Sequence, residues 1–172
     1  MYDKFGTVFE NPIVNFNTIM KKILLALFLT LGAITVQAQE IKWMSMDEAL
    51  TAQKKKAKPI FMDVYTDWCG PCKMLDKNTF HDPEVVKYIN ANYYAVKFNA
   101  EGNSEITYKG KKYTNPQYDA NRKGRNGMHE FTGLLGVRAY PSMMVFDAKG
   151  EVKAPIVGYH QPDQLLEALK AK

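Results

Sequence analysis

The chain has two cysteines, and only two residues separate them: Cys69 and Cys72, in the run Trp68-Cys69-Gly70-Pro71-Cys72. A disulfide between them closes so small a loop that it removes little entropy from the unfolded chain, so stapling is a poor reason for the pair. Thiol–disulfide exchange is a better one. Exchange needs a thiolate, and a cysteine at the start of a helix faces unpaired backbone N–H groups that favour negative charge on its sulfur. Pro71 suits such a turn, because the N–H it lacks is not needed there. Cys72 then lies one turn into the helix, within reach of a mixed disulfide on Cys69. This spacing assigns attack to Cys69 and resolution to Cys72, with Trp68 as an apolar lid that shields the sulfur and touches the substrate. Half a zinc site has the same spacing, but zinc needs two further ligands. The chain has no third cysteine, and His81, His129 and His160 are scattered, so no metal is expected.

The elements that must position the pair can be read around it. Pro59 to Tyr65 is a short apolar run with Ile60, Met62 and Val64 on one face and Phe61, Asp63 and Tyr65 on the other. That pattern predicts a central strand buried on both sides, in which Asp63 is an anomaly. A helix follows the cysteine turn through Lys73, Met74, Leu75 and Lys77. Asp82-Pro83-Glu84 starts another, which continues to Ile89, and Tyr93 to Phe98 reads as the next strand. Upstream, Ile41-Lys42-Trp43 is a short strand or an extended lead-in. Ser45 or Asp47 caps a helix ending near Ala57, with Lys54, Lys55 and Lys56 in the turn where cations complement the helix dipole. Downstream, His129 to Leu135 reads as a short helix. Ser142 to Phe146 and Val152 to Val157 form a hairpin around Asp147-Ala148-Lys149-Gly150, and Pro162 to Lys170 is a closing amphipathic helix. Between these halves, residues 99 to 128 hold Gly102, Gly110, Gly124, Gly127 and Pro116 without a sustained apolar period. The stretch, about 101–128, reads as a long surface insertion with room for a Tyr108/Tyr113 hairpin around Gly110. Long loops in compact domains are usually functional or mobile. The whole is an α/β chain, a central mixed sheet flanked by helices on both faces.

At 172 residues, with 46% hydrophobic and 24% charged positions, the chain supports one α/β domain. A formal net charge of +5 is too modest and too dispersed to argue for nucleic acid. Residues 1–19 lack signal character and read as a non-native leader or a misassigned start. From Met20, Lys21 and Lys22 form a positive region, Ile23 to Val36 an apolar stretch, and Val36-Gln37-Ala38 a cleavage site. The expected division is therefore a signal peptide over 20–38 and one domain over 39–172. The apolar run is shorter than the ~20 residues a spanning helix needs. Cleavage after Ala38 would leave Gln39 as the mature start in a periplasmic or otherwise extracytoplasmic compartment; without cleavage the segment would anchor the protein to a membrane.

From about Lys58 to Leu169 the sequence resembles the thioredoxin superfamily. Phe61-Met62-Asp63-Val64-Tyr65-Thr66-Asp67-Trp68-Cys69-Gly70-Pro71-Cys72-Lys73 is similar to its active-site strand and helix start. The continuation Thr79-Phe80-x-Asp82-Pro83-x-Val85 looks closer to the subgroup that includes the C-terminal domain of the periplasmic thiol-disulfide interchange reductase. The resemblance implies a thioredoxin fold and a redox-active pair at Cys69 and Cys72, with Gly70 and Pro71 lying between them at the substrate surface. It implies that Asp63 is the buried carboxylate that handles the proton of the resolving cysteine. Buried without compensation, such a carboxylate has a raised pKa and accepts a proton near neutrality. The resemblance also places Lys97 near Asp63, Tyr140-Pro141 in a cis-proline loop facing the cysteines, and Gly158 beside a peptide-binding groove. Tyr140 and Ser142 flank that proline where the family commonly has a threonine, and the insertion replaces a short connection.

The resulting expectation is an extracytoplasmic thiol-disulfide oxidoreductase that needs no cofactor beyond its own cysteines. Gly-Pro between the cysteines resembles thioredoxin and points toward reduction of protein disulfides, with electrons supplied by a membrane thiol reductase. A monomer is expected. Two alternatives stay open: an oxidase or isomerase of the same fold, and a non-catalytic dithiol that binds a metal such as Cu(I) or a partner. The insertion's Lys109, Lys111, Lys112, Arg122, Lys123 and Arg125 either dock an acidic partner or keep a loop soluble.

Overall fold

A computed structural model describes residues 20–21, 40–153 and 155–172. The leader over 1–19, the rest of the signal segment and Gln39 lie outside the described residues. Among the described residues no helix is long and apolar enough to cross a membrane.

Strand β1 (Trp43–Met44) leads into helix α1 (Met46–Lys55). Ser45 caps that helix: its hydroxyl accepts from Glu48 N at 3.2 Å, while the Glu48 carboxylate accepts from Ser45 N at 2.7 Å. Lys56 is extended and closes the helix, slightly before Ala57 and three residues ahead of Pro59, which could not continue it. Strand β2 (Ile60–Tyr65) follows, then α2 (Gly70–Asn78), α3 (Pro83–Asn92) and β3 (Tyr94–Asn99). Asp82 caps α3 by accepting from Glu84 N and Val85 N, with Pro83 in the first turn.

Beyond β3 come the short strands β4 (Ile106–Tyr108) and β5 (Lys111–Tyr113), helix α4 (Glu130–Leu134), strands β6 (Ser142–Phe146) and β7 (Ile156–Val157), and helix α5 (Pro162–Lys170). The main sheet has the order β1-β3-β2-β6-β7. β3 runs parallel to both β1 and β2, whereas β6 is antiparallel to β2 and to β7. The expected mixed sheet is therefore present, with β2 buried between β3 and β6. The last strand is shorter than expected. Val152 makes only an isolated bridge to Phe146, and continuous pairing with β6 is limited to Ile156 and Val157.

The period of two in β2 divides the core. Phe61 joins Leu75, Val85, Val86, Ile89, Leu165 and Leu169 on the face covered by α2, α3 and α5. Ile60, Met62 and Val64 join Met46, Ala49, Val96, Phe98 and Phe131 on the face covered by α1 and α4.

The insertion differs from its reading as a surface loop. The β4–β5 hairpin forms around Lys109-Gly110, and Ile106, Tyr108 and Tyr113 are buried in the second core cluster. Phe131 lies against the rings of Phe98, Tyr108 and Tyr113, at centroid distances of 5.7, 5.5 and 5.6 Å. Polar groups fix the rest. Buried Asn115 donates to Gly102 O at 3.0 Å and Gly127 O at 2.7 Å. Fully buried His129 donates from Nε2 to Ser104 O at 2.6 Å and accepts from Phe131 N on Nδ1 at 3.0 Å, a pairing that requires the Nε2–H tautomer. Gly127 lets the chain close: a Cβ there would stand 2.5 Å from Gln117 Cβ and 2.7 Å from its carbonyl oxygen. The basic residues of the hairpin hid its alternation of buried and exposed positions.

Candidate active site

Cys69 and Cys72 are joined by a disulfide at the start of α2. Cys69 is the N-cap, its sulfur accepts from Cys72 N at 3.1 Å, and Gly70 and Pro71 occupy the exposed first turn. This is the expected arrangement for a sulfur that must carry charge, since the first N–H groups of a helix have no partner within the helix. Cys69 is only 2% exposed, so a substrate sulfur has a narrow approach. Trp68, 38% exposed, meets the ring of Tyr140 edge to face at 5.9 Å. The Tyr140–Pro141 peptide bond is cis, and Pro141 O accepts from Gly158 N at 2.9 Å. Gly158 has φ of +92°, a backbone conformation that a side chain rarely adopts. The residues expected around a substrate thus divide between the cysteine turn, Trp68, Gly70 and Pro71, and the Tyr140-Pro141-Gly158 bend.

Asp63 lies on β2 and is 1% exposed. Its Oδ2 stands 3.1 Å from Lys97 Nζ, on the neighbouring strand β3, while Oδ1 has no hydrogen-bond partner among the described residues. Lys97 thus stands beside the carboxylate, where the resemblance puts it. Burial still prevails. Loss of solvation pushes Asp63 up to about 6, against the opposing pull of the Lys97 charge. Burial alone would pull Lys97 down, but the carboxylates of Asp63 and Asp76 outweigh it and hold that lysine above its usual range. The Lys97 ammonium also sits 4.8 Å from the Trp43 ring centroid and 5.2 Å from that of Phe80.

Asp76 was missed in the sequence. It pairs with Lys97, and so links the buried Asp63 to α2 one turn beyond Cys72. The signal was its spacing: positions four apart on a helix share a face, which puts Asp76 beside the resolving cysteine's side of α2. Its like charge also contributes to raising Asp63. Asp76→Asn is therefore expected to lower the pH at which Asp63 ionises, both by removing that charge and by freeing Lys97 for Asp63. An NMR titration of the Asp63 carboxyl carbon reads the shift directly; an unchanged or raised midpoint would show that Asp76 is electrically silent.

Three further residues, all in or beside the insertion, also escaped the sequence reading as parts of the site. Trp68 Nε1 donates to Glu101 Oε2 at 3.0 Å, and the same oxygen accepts from Asn126 N at 2.7 Å. The Arg125 guanidinium carbon lies 4.2 Å from the Trp68 ring centroid. No local pattern in the sequence links a tryptophan to positions 33 and more residues away. Among the described residues no group of three or more His, Cys, Asp or Glu side chains is arranged to hold a metal.

The sequence profile described as a thioredoxin-like domain matches residues 46–172. Over 113 residues the chain is 28% identical to thioredoxin of Rickettsia bellii, an overlap of 66% of this chain and 80% of that one. It is 30% identical over 101 residues to the thiol:disulfide interchange protein DsbD of Pectobacterium atrosepticum, covering 59% of this chain but 14% of that protein. The chain thus spans only a small part of the interchange proteins it matches. Among solved structures, a candidate disulphide-isomerase from Bacteroides thetaiotaomicron superposes with a TM-score of 0.55 at 30% identity, covering 78% of this chain and 94% of the other. The matched span includes both cysteines, Asp63, Lys97 and the cis-proline bend, and the chain belongs to the thioredoxin-like domain family.

Proposed function

We propose that the protein is an extracytoplasmic thiol-disulfide oxidoreductase that reduces protein disulfides through Cys69 and Cys72. The observation that carries this reading is the placement of the pair at the N-terminus of α2, tied through Asp76 and Lys97 to a buried carboxylate whose pKa lies near 6. The names of the matched relatives, a thioredoxin, a thiol:disulfide interchange protein and a candidate disulphide-isomerase, all belong to exchange chemistry.

In the reaction, the Cys69 thiolate attacks one sulfur of the substrate disulfide. That bond breaks, the leaving sulfur takes a proton, and a mixed disulfide joins Cys69 to the substrate. Cys72 gives its proton to Asp63 and attacks Cys69. The Cys69–Cys72 disulfide forms, the second substrate sulfur leaves as a thiolate and takes a proton from solvent, and Asp63 returns the Cys72 proton to solvent. Two electrons and two protons have moved to the substrate. The oxidised pair must then be reduced by a dithiol donor, for which a membrane thiol reductase is the expected partner. The region over 20–38 acts as the export signal, and the domain begins at Gln39.

The test is the equilibrium potential of Cys69–Cys72 in the form starting at Gln39, together with its catalysis of insulin reduction by dithiothreitol. A value below about −230 mV, on the thioredoxin side of the scale, with catalysis that disappears after alkylation of the thiols, is the expected result. The second reading, an isomerase or oxidase, is favoured by the Bacteroides relative and predicts a value above about −180 mV.

A further inference from the structure

The insertion ends on the ring beside the cysteines. A single oxygen, Glu101 Oε2, holds both the Trp68 indole N–H and the backbone N–H of Asn126, which lies near the other end of the insertion. Arg125, one residue earlier, then lies over that indole at 4.2 Å. Two cations elsewhere in the insertion are held in ion pairs, and a third lies over a ring of its own hairpin, away from the cysteines. Lys109 pairs with Glu151 at 2.7 Å, Lys112 pairs with Glu105 at 2.6 Å, and Lys111 lies over the Tyr113 ring of its own hairpin. Arg125 is exposed and makes no ion pair among the described residues, and the same holds for Arg122 and Lys123. The nearby carboxylates have their own partners: Glu101 faces Trp68 and Asn126, Asp67 accepts from Asn99 Nδ2, and Asp119 accepts from Asn121 N. Of these cations without an ion pair, Arg125 is held on the ring beside the cysteines. A loop kept only for solubility has no need to order an arginine on a ring, since fixing so long a side chain loses rotamer entropy.

We propose that this end of the insertion selects disulfides by charge, with Arg125 recognising a carboxylate that flanks the cysteine of an extended substrate segment. Glu101 is the positioning residue: it fixes the ring on which the guanidinium rests. The inference depends on the exchange reading above and adds its substrate class. An ion pair at an exposed rim is modest, so the effect is a preference of about fivefold or less per charge and not an absolute requirement.

The experiment uses two cyclic peptide disulfides that differ only in the residue next to one cysteine, glutamate or lysine. Each is reduced by the dithiol form of the protein, and the ratio of rate constants is divided by the same ratio for dithiothreitol. The wild type is expected to favour the glutamate peptide by about fivefold at low salt, the preference shrinking as salt is raised. Arg125→Gln is expected to bring the ratio within about twofold of unity. Glu101→Ala should do the same, whereas Glu101→Gln, which keeps an acceptor oxygen for both N–H groups, should restore the preference. A wild-type ratio near unity, or one that Arg125→Gln leaves unchanged, overturns the inference while leaving the exchange reading intact. Failure to reduce either peptide faster than a free thiol would overturn both.

Discussion

Phe131→Ala is expected to destabilise the oxidised protein by about 3–5 kcal/mol, the usual range for a large aromatic removed from a closed core. Phe131 has no exposed surface and is packed against Phe98 of the main sheet and against Tyr108 and Tyr113 of the hairpin. Removing the ring leaves a cavity bounded by three other rings. Tyr108 donates its hydroxyl to Gly150 O at 2.8 Å, so it cannot collapse inward without losing that bond. The measurement is the denaturant midpoint, with Phe131→Leu as a companion that keeps most of the volume and should cost much less. Were the hairpin a loosely attached surface loop, the alanine variant would lose well under half this amount, because surface changes rarely exceed about 0.5 kcal/mol. The hairpin should also be protected from proteolysis in the wild type and cleaved early in the alanine variant.

The burial of the hairpin, whose turn around Gly110 the sequence did suggest, marks the limit of what the sequence disclosed. The cysteine turn, the capped helices α1 and α3, and the buried strand β2 were legible because each carries a local signature. These are Ser45 three residues before Glu48, Asp82 before Pro83, and an apolar run of strand length. In the insertion the buried residues Ile106, Tyr108 and Tyr113 belong to three-residue strands, too short for a period of two to stand out among Lys109, Lys111 and Lys112. The same limit applies at the site. Cys69, Cys72 and Asp63 announce themselves by type and setting. Glu101, Arg125 and Asp76 act through contacts that exist only after folding, and a charged side chain in a loop or on an exposed helix face gives no sign of its partner.

Asp63→Asn is expected to stabilise the oxidised protein at pH 8 by up to about 3 kcal/mol and to slow it as an exchanger. The native carboxyl ionises at about 6 against 3.8 for the ordinary side chain, and each unit of difference corresponds to about 1.4 kcal/mol. Between those values the native state holds a proton that the unfolded state has released. Stability therefore falls as pH rises through that window: the protonated form's advantage is complete below about pH 4 and gone above about pH 6. Asparagine carries no charge to desolvate, so the variant's advantage should appear across the same window and vanish below about pH 4. Lys97 keeps Asp76 as a partner, so no buried cation is abandoned. The chemical consequence has the opposite sign. Asparagine cannot accept the proton that Cys72 must lose, and resolution of the mixed disulfide above pH 6 should slow on the order of 10²-fold, the lower end of general-base effects. Urea melts and single-turnover reduction measured from pH 4 to pH 9 test both halves together. A variant no more stable than wild type at pH 8 would mean that Lys97 fully compensates the buried charge. A variant that is more stable but equally fast would mean that Cys72 passes its proton to water. Only the combination of gained stability and lost rate fits a carboxylate kept in the core, at a cost to the fold, for the proton it takes.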